Sequence, residues 1–161
     1  MTTSEYNQCV DHHADGVYRF ILKNIRDEER ARDIVQESFS RMWEKSGEIS
    51  ADKAKSYLFT TAYHTMIDDL RREKRVSRLG ENEGKELSVN HSWSDLKEVL
   101  QAALDTLPEI QKAVITLRDY EGYSYEEIGK ITGLSESQVK VYIYRGRVAL
   151  KNYIGSLDRV L

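Results

Sequence analysis

Apolar residues recur along this chain at helical spacing, and no stretch combines sustained period-two alternation with turn dipeptides, so helices are expected throughout. Val10, Ala14, Val17, Phe20, Ile21 and Ile25 line one face of a first helix. A second is predicted over 28–45, with Ala31, Ile34, Val35, Phe39, Met42 and Trp43 as its stripe. Lys45 sits in its last turn, where the helix dipole favours a cation, and Gly47 ends it. A third runs from Asp52 to Arg78 on Ala54, Leu58, Ala62, Met66 and Leu70. It ends in Arg71-Arg72-Glu73-Lys74-Arg75, a run too polar for a core.

The periodicity stops over 80–92 (GENEGKELSVNHS), an acidic stretch with two glycines that reads as a flexible linker. Beyond it a helix is predicted from Trp93 to Leu107, with Leu96, Val99, Leu100, Ala103, Leu104 and Leu107 inward. Pro108 opens the next, which carries Ile110, Val114, Ile115 and Leu117 and stops at Gly122. Ser124 with Glu127, and Ser135 with Gln138, are capping boxes for two more helices. Thr132-Gly133-Leu134 is the turn between them, and the last helix buries Val139, Ile143, Gly146, Leu150 and Ile154. Two capped amphipathic helices around a tight glycine turn form a helix-turn-helix. The expected fold is all-α: two small helical domains, 1–79 and 93–161, joined by the 80–92 linker, the second a four-helix domain containing the helix-turn-helix.

The chain has 161 residues, with 40% hydrophobic and 32% charged positions and one proline, which suits a folded protein and excludes collagen-like or Pro-rich disordered chains. A single cysteine, Cys9, excludes an internal disulfide framework and any zinc site built on paired cysteines. With a polar N-terminus and no apolar run long enough to span a bilayer, the chain reads as cytoplasmic, with no direct membrane insertion. The net charge is −3, but it is unevenly spread. Residues 51–78 hold 7 basic and 4 acidic groups, and residues 135–161 hold 5 and 2. Such basic zones in an acidic chain steer binding locally and point to nucleic acid.

The outer face of the last helix presents Gln138, Lys140, Val141, Tyr144, Arg145, Val148 and Lys151 to a major groove. Lys140 and Arg145 suit phosphates or guanine edges, Gln138 an adenine, and Tyr144 a phosphate or a thymine methyl. The third helix sets Tyr57, Phe59, Tyr63 and His64 beside its basic run. That combination suits unstacked single-stranded bases, or equally a buried aromatic face with a solvated helix end. The second helix carries Asp33, Gln36, Glu37 and Glu44 around its apolar stripe, and its spacing alone does not mark an interface. Adjacent His12 and His13 diverge on a helix, and no Glu-x-x-His, P-loop, Gly-x-Gly-x-x-Gly or Gly-x-Ser-x-Gly pattern occurs. No metal, no cofactor, no small-molecule substrate and no enzymatic activity are therefore expected.

Three strings carry a family resemblance: ARDIVQESFSRMWE (31–44), AKSYLFTTAYHTMIDDLRREKR (54–75) and LDTLPEIQKAVITLRDYEGYSYEEIGKITGLSESQVKVYIYRGRVALK (104–151). Together they resemble the bacterial extracytoplasmic-function sigma factors of RNA polymerase. The resemblance implies that Asp33, Gln36, Glu37 and Trp43 dock on the clamp helices of the polymerase largest subunit. It implies that Tyr57, Tyr63, His64, Arg71, Arg72, Lys74 and Arg75 open and bind the minus-ten element. Arg118, Lys140, Val141, Tyr144, Arg145 and Arg147, with Gln138 from the helix face, would touch the minus-thirty-five duplex. It further implies as partners the core polymerase (beta and beta-prime subunits), promoter DNA and an anti-sigma factor. Tyr63-His64 stands where members often carry Arg-Asn, and Val141-Tyr142 follows Lys140 where Ser or Thr is frequent. The main alternative is a helical regulator whose helix-turn-helix binds operator DNA as a dimer; a purely protein-binding adaptor is disfavoured by the basic helix face.

Overall fold

The computed structural model describes residues 1–79 and 96–158. Their regular structure is helical: α1 (Thr3–Ile25), α2 (Glu28–Glu44), a 3₁₀ turn (Ala51–Lys53), α3 (Ala54–Leu79), α4 (Leu96–Asp105), α5 (Glu109–Ile115), α6 (Tyr125–Thr132) and α7 (Glu136–Asp158). The expected linker, and the start of the Trp93 helix, lie outside the described residues.

α1 begins seven residues before the apolar stripe does. Thr2 accepts from the Glu5 backbone N–H while the Glu5 carboxylate accepts from the Thr2 N–H, a capping box that starts the helix before any core residue appears. α2 is capped by Asp27, whose side chain accepts from the Arg30 N–H. The α5 helix runs into a π-helical turn at Thr116–Tyr120. The helix-turn-helix forms as its caps require. Gly133 takes the left-handed conformation (φ 80°) that ends α6, and a full capping box joins Ser135 and Gln138. At the Ser124 cap the hydroxyl accepts from the Glu127 N–H and donates to the Glu127 carboxylate, which therefore does not reach back to the backbone.

The first half packs α1, α2 and α3 around Phe20, Ile21, Met42, Leu58 and Met66, all fully buried. The second packs α7 across α4, α5 and α6 around Leu104, Ile115, Ile128, Ile131 and Ile143. Two inward assignments are corrected: Leu96 is 69% exposed at the start of α4, and Trp43 is 49% exposed.

The halves are closed onto each other, and one apolar cluster runs from Val17 and Phe20 through Phe59 to Tyr123 and Ile128. Phe59 sits between the Phe20 and Tyr123 rings, at 5.9 and 5.0 Å. Polar groups fix the alignment. The C-terminal carbonyls of α1 are satisfied from the other half: Lys112 Nζ donates to Asn24 O at 3.1 Å and Gln101 Nε2 to Lys23 O at 3.1 Å. Asn24 Nδ2 donates to Thr116 Oγ1 at 2.9 Å, and Asp105 receives both Lys112 and Arg26.

Candidate functional site

Three exposed surfaces collect the residues that the sequence singled out. On α2, Asp33, Gln36 and Glu37 are exposed on neighbouring turns, with Trp43 two turns past Gln36 on the same side. Trp43 leans edge-on against Tyr6 at 4.9 Å, and the Tyr6 hydroxyl donates to Phe39 O, so the indole stays held at the surface. Tryptophan is among the residue types that anchor protein interfaces. Glu37 is bridged to Arg41 at 2.6 Å, one turn on.

On α3 the expected residues separate. His64, Arg71, Arg72, Lys74 and Arg75 are exposed. Tyr57 is half-buried against the core. Tyr63 is only 5% exposed, and burial pushes its hydroxyl above the ordinary phenol range. Lys74 is paired with Glu109 of the second half at 2.8 Å. α3 packs on α1 and α2 along one side and on α6 along another, so its aromatic face is shared between core and interface. Of the two readings open from composition, the buried one describes Phe59 and Tyr63 in this closed arrangement.

On α7, Gln138, Lys140, Val141, Tyr144, Arg145, Val148 and Lys151 are all exposed, Tyr144 at 70%. Lys140 lies 3.5 Å from Glu136 and above the Tyr125 ring. Arg145 has no charged partner among the described residues. Two of the expected duplex contacts are engaged within the fold. Arg118 Nη1 donates to Tyr123 O at 2.9 Å and stacks on Tyr125, and Arg147 bonds Asp119 through Nε at 3.2 Å and Nη2 at 2.5 Å. That pairing raises the Arg147 guanidinium pKa above its ordinary value.

Cys9 is buried, which pushes its thiol pKa up, away from nucleophilic chemistry. Among the described residues no helix is long and apolar enough to cross a membrane. The contacts that the sequence did not signal are those between halves: Lys112, Asn24, Thr116 and Asp105 meet across gaps that no local pattern encodes.

Two family models match the chain: "Sigma-70 region 2" over residues 9–76 and "Sigma-70, region 4" over 97–150. The chain is 32% identical to the RNA polymerase sigma factor SigV of Bacillus subtilis, across 85% of this chain and 83% of that one. It is 30% identical to the ECF RNA polymerase sigma factor SigM of the same organism, over 94% of each. It is 31% identical to ECF RNA polymerase sigma factor SigE of Mycolicibacterium smegmatis, but spans only 61% of that protein's length. The fold matches the sigma factor RpoE solved with the anti-sigma factor NepR from Bartonella quintana, with a TM-score of 0.81 at 21% identity, covering 95% of this chain and 98% of that one. It also matches CnrH solved with the cytosolic domain of CnrY, with a TM-score of 0.71 at 24% identity, covering 94% and 88%.

Proposed function

Because the chain belongs to the extracytoplasmic-function RNA polymerase sigma factors, we propose a division of labour among its three surfaces within that role. A sigma factor binds the core polymerase and directs it to particular promoters, and the bond-making is the polymerase's. Here residues 1–79 act as the core-docking and minus-ten domain, 80–92 as the linker, and 93–161 as the minus-thirty-five domain. The protein works in the cytoplasm, where the polymerase is, and makes no covalent chemistry of its own.

On α2, Asp33, Gln36, Glu37 and Trp43 dock on the polymerase largest subunit: three polar groups set the register and the indole supplies apolar area. On α3, Arg71, Arg72, Lys74 and Arg75 follow the backbone of the opened minus-ten strand, with His64, Tyr57 and Tyr63 beside it. Tyr63 and Lys74 become available when the second half moves away. On α7, Gln138, Lys140, Val141, Tyr144 and Arg145 enter the major groove, while Arg147 ties α7 to Asp119 and Arg118 holds the segment from Tyr123 to Tyr125 that leads into α6. An anti-sigma factor is the further partner, in keeping with the complexes of the two structural relatives.

The observation that carries this reading is the α7 face: a capped helix with polar, basic and aromatic groups turned outward and Val139, Ile143 and Gly146 buried behind them. The test for the docking surface is a pull-down of core polymerase by the chain carrying Gln36→Ala and Glu37→Ala. Retention of core should fall while the helical circular dichroism signal and melting temperature hold. Retention equal to wild type would remove α2 from the docking role.

A further inference from the structure

The last turns of α3 sort their charges by side. Asp69 and Glu73, four residues apart, face α2, whereas Arg71, Lys74 and Arg75 lie round the helix from them. One side chain of α2 gathers both carboxylates. Arg30 Nε donates to Asp69 Oδ2 at 2.9 Å and Arg30 Nη1 to Glu73 Oε2 at 2.9 Å, and Arg30 Nη2 also bonds Asp69. The Arg30 and Asp69 side chains keep only 26% and 23% of their exposure, so this pair is more sheltered from solvent than a surface bridge. A guanidinium fork reaches two carboxylates at once, which an ammonium point charge does less well. The other Asp69 oxygen lies 3.7 Å from Arg72, so Arg30 and Arg72 draw on the same carboxylate. Arg30 also shares a cleft of about 200 Å³ with Asp33 and Glu37 on α2 and Asp69 and Arg72 on α3.

We propose that Arg30 is a positioning residue for promoter engagement. By holding Asp69 and Glu73 from the docking helix, it leaves Arg72 and the neighbouring cations to the phosphates of the opened strand, and it sets the basic end of α3 against α2. Residues 68–75 carry three carboxylates and four cations, so this end of α3 has a net charge of only +1. Without Arg30, Asp69 closes onto Arg72 and one phosphate contact is withdrawn. The inference rests on the assignment of Arg71, Arg72, Lys74 and Arg75 to the minus-ten strand.

The experiment uses the full chain assembled with core polymerase on a promoter that it initiates from, with open-complex yield followed by permanganate reactivity across a salt series. Arg30→Gln should keep core affinity within about twofold. It should lower the yield at physiological salt severalfold and flatten the salt dependence by about one phosphate contact. The double variant Arg30→Gln with Asp69→Asn removes the competing carboxylate and should recover most of the yield, which a merely structural role for Arg30 would not produce. An unchanged yield and slope for Arg30→Gln, or no recovery in the double variant, overturns the proposal. Arg72→Ala is the separating control: if it too initiates normally, the minus-ten assignment fails, whereas a defective Arg72→Ala beside a normal Arg30→Gln defeats the role of Arg30 alone.

Discussion

At Gly146, α7 crosses α5 so closely that a Cβ there would come within 2.2 Å of Ile115 Cδ1. Ile115 is 1% exposed within the second core, so its side chain must shift to admit any Cβ at this position. Gly146→Val should therefore destabilise the chain by about 1–3 kcal/mol through overpacking, read as a lower urea midpoint. The glycine was legible in sequence because it falls at an inward register position of an otherwise bulky stripe. His13 was not informative there, yet its setting gives it a definite behaviour. Burial first, then Lys55 of α3 and His12, hold its pKa below the usual imidazole range. His12, Asp15, Arg19, Lys55, Glu121 and Tyr123 line the same cavity between the halves. The unfolded chain then binds this proton more readily, so the stability from His13 is complete above about pH 6.5 and is lost as pH falls through the folded value. His13→Asn should narrow the gap between urea midpoints at pH 7.5 and pH 5.5; an unchanged gap would place the acid sensitivity elsewhere.

Elements were read well where capping and periodicity agreed, as in α6 and α7. Where a long apolar stripe stood alone, as in α2 and α3, the helix was legible, but the Asp27 cap of one and the 3₁₀ turn that opens the other were not. The early start of α1 was written in Thr2 and Glu5 but lies ahead of the apolar stripe. Trp43 fits the α2 stripe by hydrophobicity but lies at the surface beside Tyr6, 49% exposed. The basic groups around α7 divide by their contacts into two kinds. Arg145→Ala should weaken binding to minus-thirty-five duplex by about 1–3 kcal/mol if it reads a base, with no change in melting temperature. Arg118→Ala removes a bond to the Tyr123 carbonyl and a stack on Tyr125, and should lower stability by about 1 kcal/mol whether or not DNA is present. Fluorescence anisotropy on a duplex, paired with thermal unfolding, separates the two; equal losses of affinity and stability in both variants would contradict the division.

Across the whole molecule, the helices and the family strings were legible, while the closure of one half on the other was not. It depends on Asn24, Lys112 and Thr116 meeting over separations that no helical period records. The seam joins an apolar contact, Phe59 on Tyr123, to directional polar bonds, with a buried lysine bonding the end of α1, and the polar bonds fix how the halves align. Lys112→Met leaves the Asn24 carbonyl and Asp105 without their lysine and should weaken the closed packing by about 1–3 kcal/mol. The check is the distance between fluorophores on the two halves, which should lengthen in the variant. The central claim, that this chain confers promoter choice on RNA polymerase, is tested most directly by mixing it with purified core enzyme and mapping transcription starts on a genomic promoter pool. A sigma factor gives a stable one-to-one complex and new, sequence-defined start sites that need the core. Absence of core binding, together with tight duplex binding by the chain alone, would contradict it and favour a dimeric operator-binding regulator.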